Sequence, residues 1–304
     1  MGGVVPELAC RRHVDLLIPV LQEAIEKAEV SLKEIDLIAV AHGPGLIGAL
    51  LLGLSTAKSL SLALNKPFIG VNHVEAHLYA TLMSRNEGIR FPCLGVVLSG
   101  GHTAIVRMDE IGQYQLISQT VDDAIGEAFD KVAKILGLPY PGGPQIEKLA
   151  KEGNSLAYPF KPGRVKKQPL DFSFSGIKTG VLYAVKGQNS DYSAHHCQLS
   201  YSEKVDICAS FQHVVFQDII QKTVLAANES GIDTVVLGGG VTNNRTLRKL
   251  FSENDSHRTY LWPSEGLSLD NAAMIAGLGY HKYLAKGCGD ALDLEALTRI
   301  SLAG

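Results

Sequence analysis

The sequence predicts an α/β protein of two related lobes with a ligand site between them, and three observations carry that reading. Two strand-like runs far apart in the chain, residues 93–98 and 233–237, each close on a Gly-rich turn. The first turn is Ser99-Gly100-Gly101-His102-Thr103; the second, Gly238-Gly239-Gly240-Val241-Thr242-Asn243-Asn244-Arg245, opens a helix. Such turns bare backbone amides that receive anions or nucleotides, and two of them on separate strand units suggest a duplicated architecture around one ligand. The length of 304 residues suits two lobes better than one minimal domain. Finally, the 31 glycines cluster after apolar runs, as tight strand-to-helix connections require.

Taken in order, residues 1–7 lead into a helical pattern in which Leu16, Leu17, Val20, Leu21, Ala24, Ile25 and Ala28 recur at helical spacing. Residues 35–41 read as a buried strand. The following Gly43-Pro44-Gly45-Leu46-Ile47-Gly48 matches the GxGxxG of a dinucleotide site. However, the next strand, 68–71, ends in Asn72 and His73 and not in the acidic residue that would hold a ribose. Pro44 also sits inside the turn, so the glycines read as a tight turn with close helix–strand packing. Residues 46–64 are the most apolar run; with Lys58, several Ser and Thr and two glycines they read as a buried helix and not a membrane span.

Asn72-His73-Val74-Glu75-Ala76-His77 then places two histidines four residues apart, on one helical face and within reach of one metal ion. The same spacing serves packing or solvent equally well. Residues 93–98, the Gly-Gly turn and residues 104–108 form a hairpin whose tip could hold phosphate oxygens or be an ordinary turn. A helix follows, with Ala124, Ile125, Ala128, Phe129, Val132, Ala133 and Leu136 inward, and with Glu127–Lys131 and Asp130–Lys134 spaced as ion pairs. It stops at Gly137, before a rigid loop from Pro139 to Pro144.

Lys161, Arg164, Lys166 and Lys167 make the densest basic stretch, either a solvated loop or a local contact to a phosphate backbone. Phe172-Ser173-Phe174-Ser175-Gly176-Ile177-Lys178 offers small residues and a Lys for a close approach to a ligand. Residues 187–202 read as loop and 205–228 as helix. Asp270 stands where a helix cap is expected.

The net charge of −3 provides no global field for nucleic acid, so any such binding must come from a local patch. The five cysteines (Cys10, Cys93, Cys197, Cys208, Cys288) contain no CxxC, which favours reduced thiols in a cytoplasmic setting over a disulfide frame or a thiolate zinc site. No signal-peptide pattern opens the chain.

Together these motifs resemble one family. Gly2-Gly3-Val4-Val5-Pro6-Glu7-Leu8-Ala9, Asn72 to His77, Leu98 to Thr103, Gly126-Glu127-Ala128-Phe129-Asp130-Lys131, Tyr140-Pro141-Gly142-Gly143, Phe174 to Thr179, Gly239-Gly240-Val241 with Asn244-Arg245, and Asp270 to Ala276 occur in that family's order. The chain resembles the TsaD family, the tRNA N6-adenosine threonylcarbamoyltransferases, in its bacterial or organellar branch. The resemblance implies an actin-like, sugar-kinase and Hsp70-like (ASKHA) fold with a nucleotide cleft between lobes. Residues 1–92 joined by 272–304 would form the first lobe, and 93–271 the second. The implied activity moves the threonylcarbamoyl group from threonylcarbamoyl-AMP to the exocyclic amine of the adenine 3′ of the anticodon in tRNA.

By motif position the resemblance implies His73, His77 and Asp270 as ligands of one divalent metal, Fe(2+) or alternatively Zn. It implies adenylate contacts at Val97, Leu98, Ser99, Gly100, Gly101, Asp130, Gly143 and Asn244, with Glu147 unassigned because some members carry Asp there. Implied partners are a paralogous TsaB-type subunit and a small TsaE-type ATPase, with no membrane. The family carries an opening strand pair ahead of the Gly-Gly-Val-Val-Pro-Glu motif and this sequence starts after it, so either the start is placed too late or the first lobe lacks that pair and exposes a sheet edge. Three rivals are kept: a small-molecule kinase of the same fold, a non-catalytic nucleotide-binding partner, and a metalloprotease. In the last, Glu75 lies two residues from each histidine, about 200° around the helix at roughly 100° per residue, and would face away from a shared metal.

Overall fold

Two parallel strands, β1 (Ile38–Gly43) and β2 (Phe68–Asn72), pair in register from Ile38 opposite Phe68 and make the smaller of two sheets in the computed structural model. That model describes residues 6–83, 85, 89–187 and 199–302. Helix α1 (Pro6–Lys27) precedes β1, and α2 (Ile47–Leu64) makes the crossover that a parallel pair needs. The Gly43–Gly48 turn is therefore a strand-to-helix connection, as expected. The opening Gly-Gly-Val-Val residues lie outside the described residues.

One expectation for α2 fails. Only Leu50, Leu54 and Ala57 are buried, while Leu46 just ahead of it and Ile47, Leu51 and Leu62 within it are exposed. The helix packs on β1 and α1, and a two-stranded sheet offers it one face and no more. Lys58, in its middle, donates to the carbonyl of Leu294 at 2.7 Å.

The larger sheet has the order β5-β4-β3-β6-β7, from β3 (Cys93–Leu98), β4 (Thr103–Glu110), β5 (Gln113–Gln119), β6 (Thr234–Gly238) and β7 (Thr259–Leu261). β3, β4 and β5 form an antiparallel meander, while β3, β6 and β7 run parallel. Side chains alternate across the sheet at period two. Leu94, Val96 and Leu98 enter a core shared with α4 (Ile125–Ile135), α6 (Ser175–Lys186), α7 (Tyr201–Ser230) and α8 (Arg245–Asn254). Cys93 and Val97 point the other way, onto Val74, Leu78 and Leu82 of α3 (His73–Leu82).

Helix α3 joins the two sheets. Its Ala76, Tyr79 and Ala80 pack on Ile69 and Val71 of the small sheet and on Met274 and Leu278 of α9 (Ala272–Lys286). Nine of its ten residues are buried, so a polar side chain on it must find its partner inside the protein.

Three further stretches bear on the expectations. The loop from Pro139 holds a cis Tyr140–Pro141 bond and gives way at once to α5 (Gly142–Ala150). The expected loop at 187–202 falls mostly on residues 188–198, outside the described residues, and α7 has already begun at Tyr201. After α9 the chain lies along the small sheet: Asp290 N donates to Phe68 O at 2.8 Å, Leu297 N to His42 O at 2.8 Å, and Asn72 Nδ2 to Ser301 O at 3.2 Å.

Candidate metal centre and glycine-turn site

The metal-ligand candidates are brought together by two local choices. Asn72 ends β2 and caps α3, its side chain accepting from Val74 N at 2.9 Å, which puts His73 at the first helical position and His77 one turn on. Asp270 was expected to cap α9, but Asn271 does so, accepting from Met274 N at 2.9 Å. The Asp270 carboxylate is thereby released toward the histidines, its Oδ1 3.5 Å from His73 Nε2 and 3.3 Å from His77 Nε2.

Candidate ligand atoms of the three residues all lie within 4.8 Å of one another, and the two rings meet edge to face with centroids 4.7 Å apart. His77 is 1% exposed, yet neither ring nitrogen makes a well-formed hydrogen bond in the described structure: Nδ1 has no partner, and Nε2 faces only the Asp270 carboxylate at 3.3 Å. A buried imidazole so poorly satisfied is costly unless something else binds it. Two imidazole nitrogens and a carboxylate oxygen form a set that fits a first-row divalent ion with open positions. Burial, then the neighbouring His77, pulls the His73 pKa down, opposed by Asp270, which favours the neutral form a metal needs. The polar contact with His77 holds the Asp270 carboxyl below its usual range against burial, with both imidazoles assisting.

Glu75 faces away, as helical geometry required. It is buried, accepts from Tyr114 Oη at 3.0 Å and pairs with Lys282 at 3.2 Å. Burial and the Glu75 charge push the Tyr114 pKa up. This carboxylate ties α3 to β5 and α9 and is spent on doing so.

The expected substrate-contact residues converge at the carboxyl ends of β3 and β6, where open α/β sheets bind ligands. Val97 and Leu98 are fully buried, so they can offer only backbone. Ser99 folds the turn by accepting from His102 N at 3.0 Å, and a Cβ at Gly100 or Gly101 would meet nothing within 4 Å, so the tip is bare. Gly126 passes so close that its Cβ would stand 2.7 Å from Gly100 Cα. Asp130 makes no ion pair with Lys134 among the described residues; instead it accepts from Gly142 N at 2.7 Å, tying α4 to the start of α5, where Gly143 is open. Its pKa is raised, chiefly by burial. A pocket of about 320 Å³ beside it is lined by Asp130, Lys134, Pro139, Tyr140 and Gly142.

Asn244 is buried and committed within the protein, capping α8 through Leu247 N at 3.1 Å and donating to Gln212 at 2.9 Å. Glu147 accepts from Arg245 N at 2.9 Å, so it too holds the first turn of α8. The expected ligand-approaching Lys178 is held instead by Asp123 at 2.8 Å.

The candidate metal triad and the glycine turns touch. A Cβ on Gly238 would lie 2.3 Å from His77 O, one on Gly239 2.5 Å from Leu98 O, and one on Gly240 3.3 Å from Leu269, next to Asp270. Sequence reasoning passed over His102, whose pKa burial pulls down to about 4 with help from His73 and His77. Its place in the Gly-Gly turn was legible, but its closeness to α3 depends on a strand pairing that no local pattern encodes.

A family model described as TsaD: tRNA N6-adenosine threonylcarbamoyltransferase matches residues 1–277. A curated tRNA N6-adenosine threonylcarbamoyltransferase of Protochlamydia amoebophila is 63% identical over 301 residues, covering 99% of this chain and 87% of that protein. One of Chlamydia abortus is 50% identical over 285 residues, covering 94% and 82%. Among solved structures, T. kodakarensis HypF superposes with a TM-score of 0.63 at 16% identity. That match covers 88% of this chain and 43% of HypF, so this chain spans less than half of that protein's length. The likeness shows a shared mixed α/β fold.

Proposed function

Because this chain belongs to the TsaD family of tRNA N6-adenosine threonylcarbamoyltransferases, we propose a division of labour for its transfer reaction between the metal triad and the glycine turns. The protein is an enzyme that forms N6-threonylcarbamoyladenosine in tRNA. It moves the threonylcarbamoyl group from threonylcarbamoyl-AMP to the exocyclic amine of the adenine 3′ of the anticodon. The amine nitrogen forms a bond to the carbamoyl carbon, the carbon–oxygen bond to AMP breaks, and the amine gives up one proton. The leaving group is good and the acceptor weak, since its lone pair is delocalised into the purine. Positioning and charge stabilisation therefore matter more than a strong base.

In this reading His73, His77 and Asp270 hold one divalent ion, iron or alternatively zinc. Bound there, the ion would polarise and orient the carbamoyl-phosphate end of the donor. The bare amides of Gly100 and Gly101 receive donor oxygens, and Gly143 lets the adenylate approach the start of α5. Asp130 holds that start in place and presents its carboxylate to the same side, while Asn244 and Glu147 fix the first turn of α8. No nucleophilic Ser or Cys is needed. The observation that carries the metal assignment is His77, buried without a well-formed hydrogen bond at either ring nitrogen and gathered with His73 and Asp270.

We read the two sheets as lobes of an actin-like fold around a nucleotide cleft, supported by the two glycine turns meeting α3 between them. A TsaB-type paralogue and a TsaE-type ATPase complete the system in this proposal. The site of action is the cytoplasm, consistent with cysteines that include no disulfide among the described residues. A protease reading has no support from Glu75, which is buried and engaged elsewhere.

The test is transfer of labelled threonylcarbamoyl from threonylcarbamoyl-AMP to tRNA by the reconstituted system, with metal content measured in parallel. Transfer by wild type, with loss of both metal and transfer in Asp270→Asn, is expected. A variant with all three ligands replaced that still holds a stoichiometric ion would refute the assignment.

A further inference from the structure

Lys161, Arg164, Lys166 and Lys167 fall within seven residues, and no Asp or Glu occurs between Glu152 and Asp171. All four side chains are exposed, and among the described residues none makes an ion pair or a hydrogen bond. Several cations elsewhere are neutralised: Lys131, Lys178, Lys222, Arg258, Lys282 and Lys286 each hold a carboxylate. In a protein of net charge −3, this loop is a local concentration of uncompensated positive charge.

The loop is also built and anchored. Upstream, Tyr158 stacks on Phe160 at 5.6 Å, and Phe160 lies against Gly180 of α6. Downstream, Gln168 N bonds Val165 O at 3.3 Å and Asp171 N bonds Gln168 O at 3.0 Å. In its middle, Gly163 sits so close to Ser173 that a Cβ would lie 2.3 Å from the Ser173 carbonyl. A charged surface fixed in advance loses less entropy on binding than a mobile one.

From that anchor a short chain of bonds leads to the glycine turn. Ser173 Oγ donates to Asp122 at 2.6 Å, as does Phe174 N at 2.7 Å, and Asp123 holds both Lys131 and Lys178. Two residues on, Ile125 N donates to Thr103 Oγ1 at 2.8 Å and Gly126 N to Ser99 O at 3.2 Å. The basic loop thus has a fixed position relative to the turn that faces the donor.

We propose that residues 161–167 form a docking surface for the phosphate backbone of the tRNA. The loop holds the strand beside the target adenosine and sets its distance from the glycine turn. This rests on the tRNA-transferase reading above. The chemistry required is a row of phosphates, and phosphate contacts position a nucleic acid without reading its sequence.

The experiment measures tRNA affinity against salt for wild type and for a variant carrying Lys161→Gln, Arg164→Gln, Lys166→Gln and Lys167→Gln. Melting and donor-binding measurements show that each protein is folded. Loss of four phosphate contacts should flatten the log–log salt slope by about 3, at roughly 0.7 to 0.9 per contact. At moderate salt the affinity should drop by about tenfold or more, with KM for tRNA raised and kcat retained. If the quadruple variant melts early, Lys166→Gln with Lys167→Gln should give about half the change in slope. An unaltered slope and affinity in a folded variant overturns the proposal alone. So does a variant that loses only an acidic protein partner while binding tRNA normally. A wild-type protein that binds no tRNA overturns both this proposal and the reading beneath it.

Discussion

His77 is available as a ligand because, in the described protein, its ring nitrogens meet only the carboxylate of Asp270, itself a candidate ligand. We expect His77→Ala to abolish divalent-ion binding in elemental analysis of the purified protein, and an ion retained at wild-type stoichiometry would count against the triad. His102 makes a separate prediction. Its folded pKa of about 4 lies below the ordinary 6.5, so the unfolded chain binds the proton first as pH falls. Stability should therefore be fully present above pH 6.5 and decline toward pH 4, by about 3 kcal/mol at most from this residue. Urea midpoints for wild type and His102→Gln across that range would check it, since the variant should lose that part of the slope. At this scale the sequence was half legible. The i,i+4 histidine pair could be read from helical geometry, whereas the exchange of capping roles between Asp270 and Asn271 could not. Both residue types cap helices, and a one-residue shift in where α9 begins decides which carboxylate or amide is left over.

Secondary elements announced themselves in proportion to how strongly their burial was one-sided. Helix α4 carries Ile125, Ala128, Phe129, Val132 and Ala133 inward and was readable from that stripe, as was the β3–β4 hairpin. β5 was missed because it is an edge strand with a mostly exposed, Gln-rich pattern, Gln113-Tyr114-Gln115-Leu116-Ile117-Ser118-Gln119. α5 was missed because it opens with Gly142-Gly143-Pro144, which reads as a breaker, although Pro is tolerated in a first turn. Two predictions belong here. Gly238→Ala puts a methyl group into the backbone of α3, and overpacking of this kind costs about 1–3 kcal/mol; a lowered urea midpoint with weakened metal binding is expected. Within α7, buried Lys222 bonds Asp218 at 2.8 Å and Asp171 O at 2.9 Å. Lys222→Met strands a buried carboxylate and should destabilise by about 3 kcal/mol, with Lys222→Met plus Asp218→Leu recovering much of that loss in thermal unfolding.

For the molecule as a whole, the alternation of strands and helices and the two glycine turns could be read from the chain, and the mixed α/β fold follows. The covering of the small sheet by residues 290–302 was implied by the resemblance alone and not by local pattern, because that stretch has no helical or strand period and makes its contacts by single bonds to β1 and β2. Deleting it should open β1 and β2 amides to hydrogen exchange while β3 and β6 stay protected; equal protection in both sheets would contradict this role. A last consequence comes from the close passage of Gly238 past the His77 carbonyl and of Gly239 past Leu98. No Cβ-sized gap separates the glycine turns from α3, so under the proposed assignment an ion at one and an adenylate at the other would load the same backbone junction. Their binding free energies should then be coupled reciprocally. Whatever factor the metal adds to donor affinity, the donor must return to metal affinity, and paired titrations of the metal with and without donor would measure that single number twice.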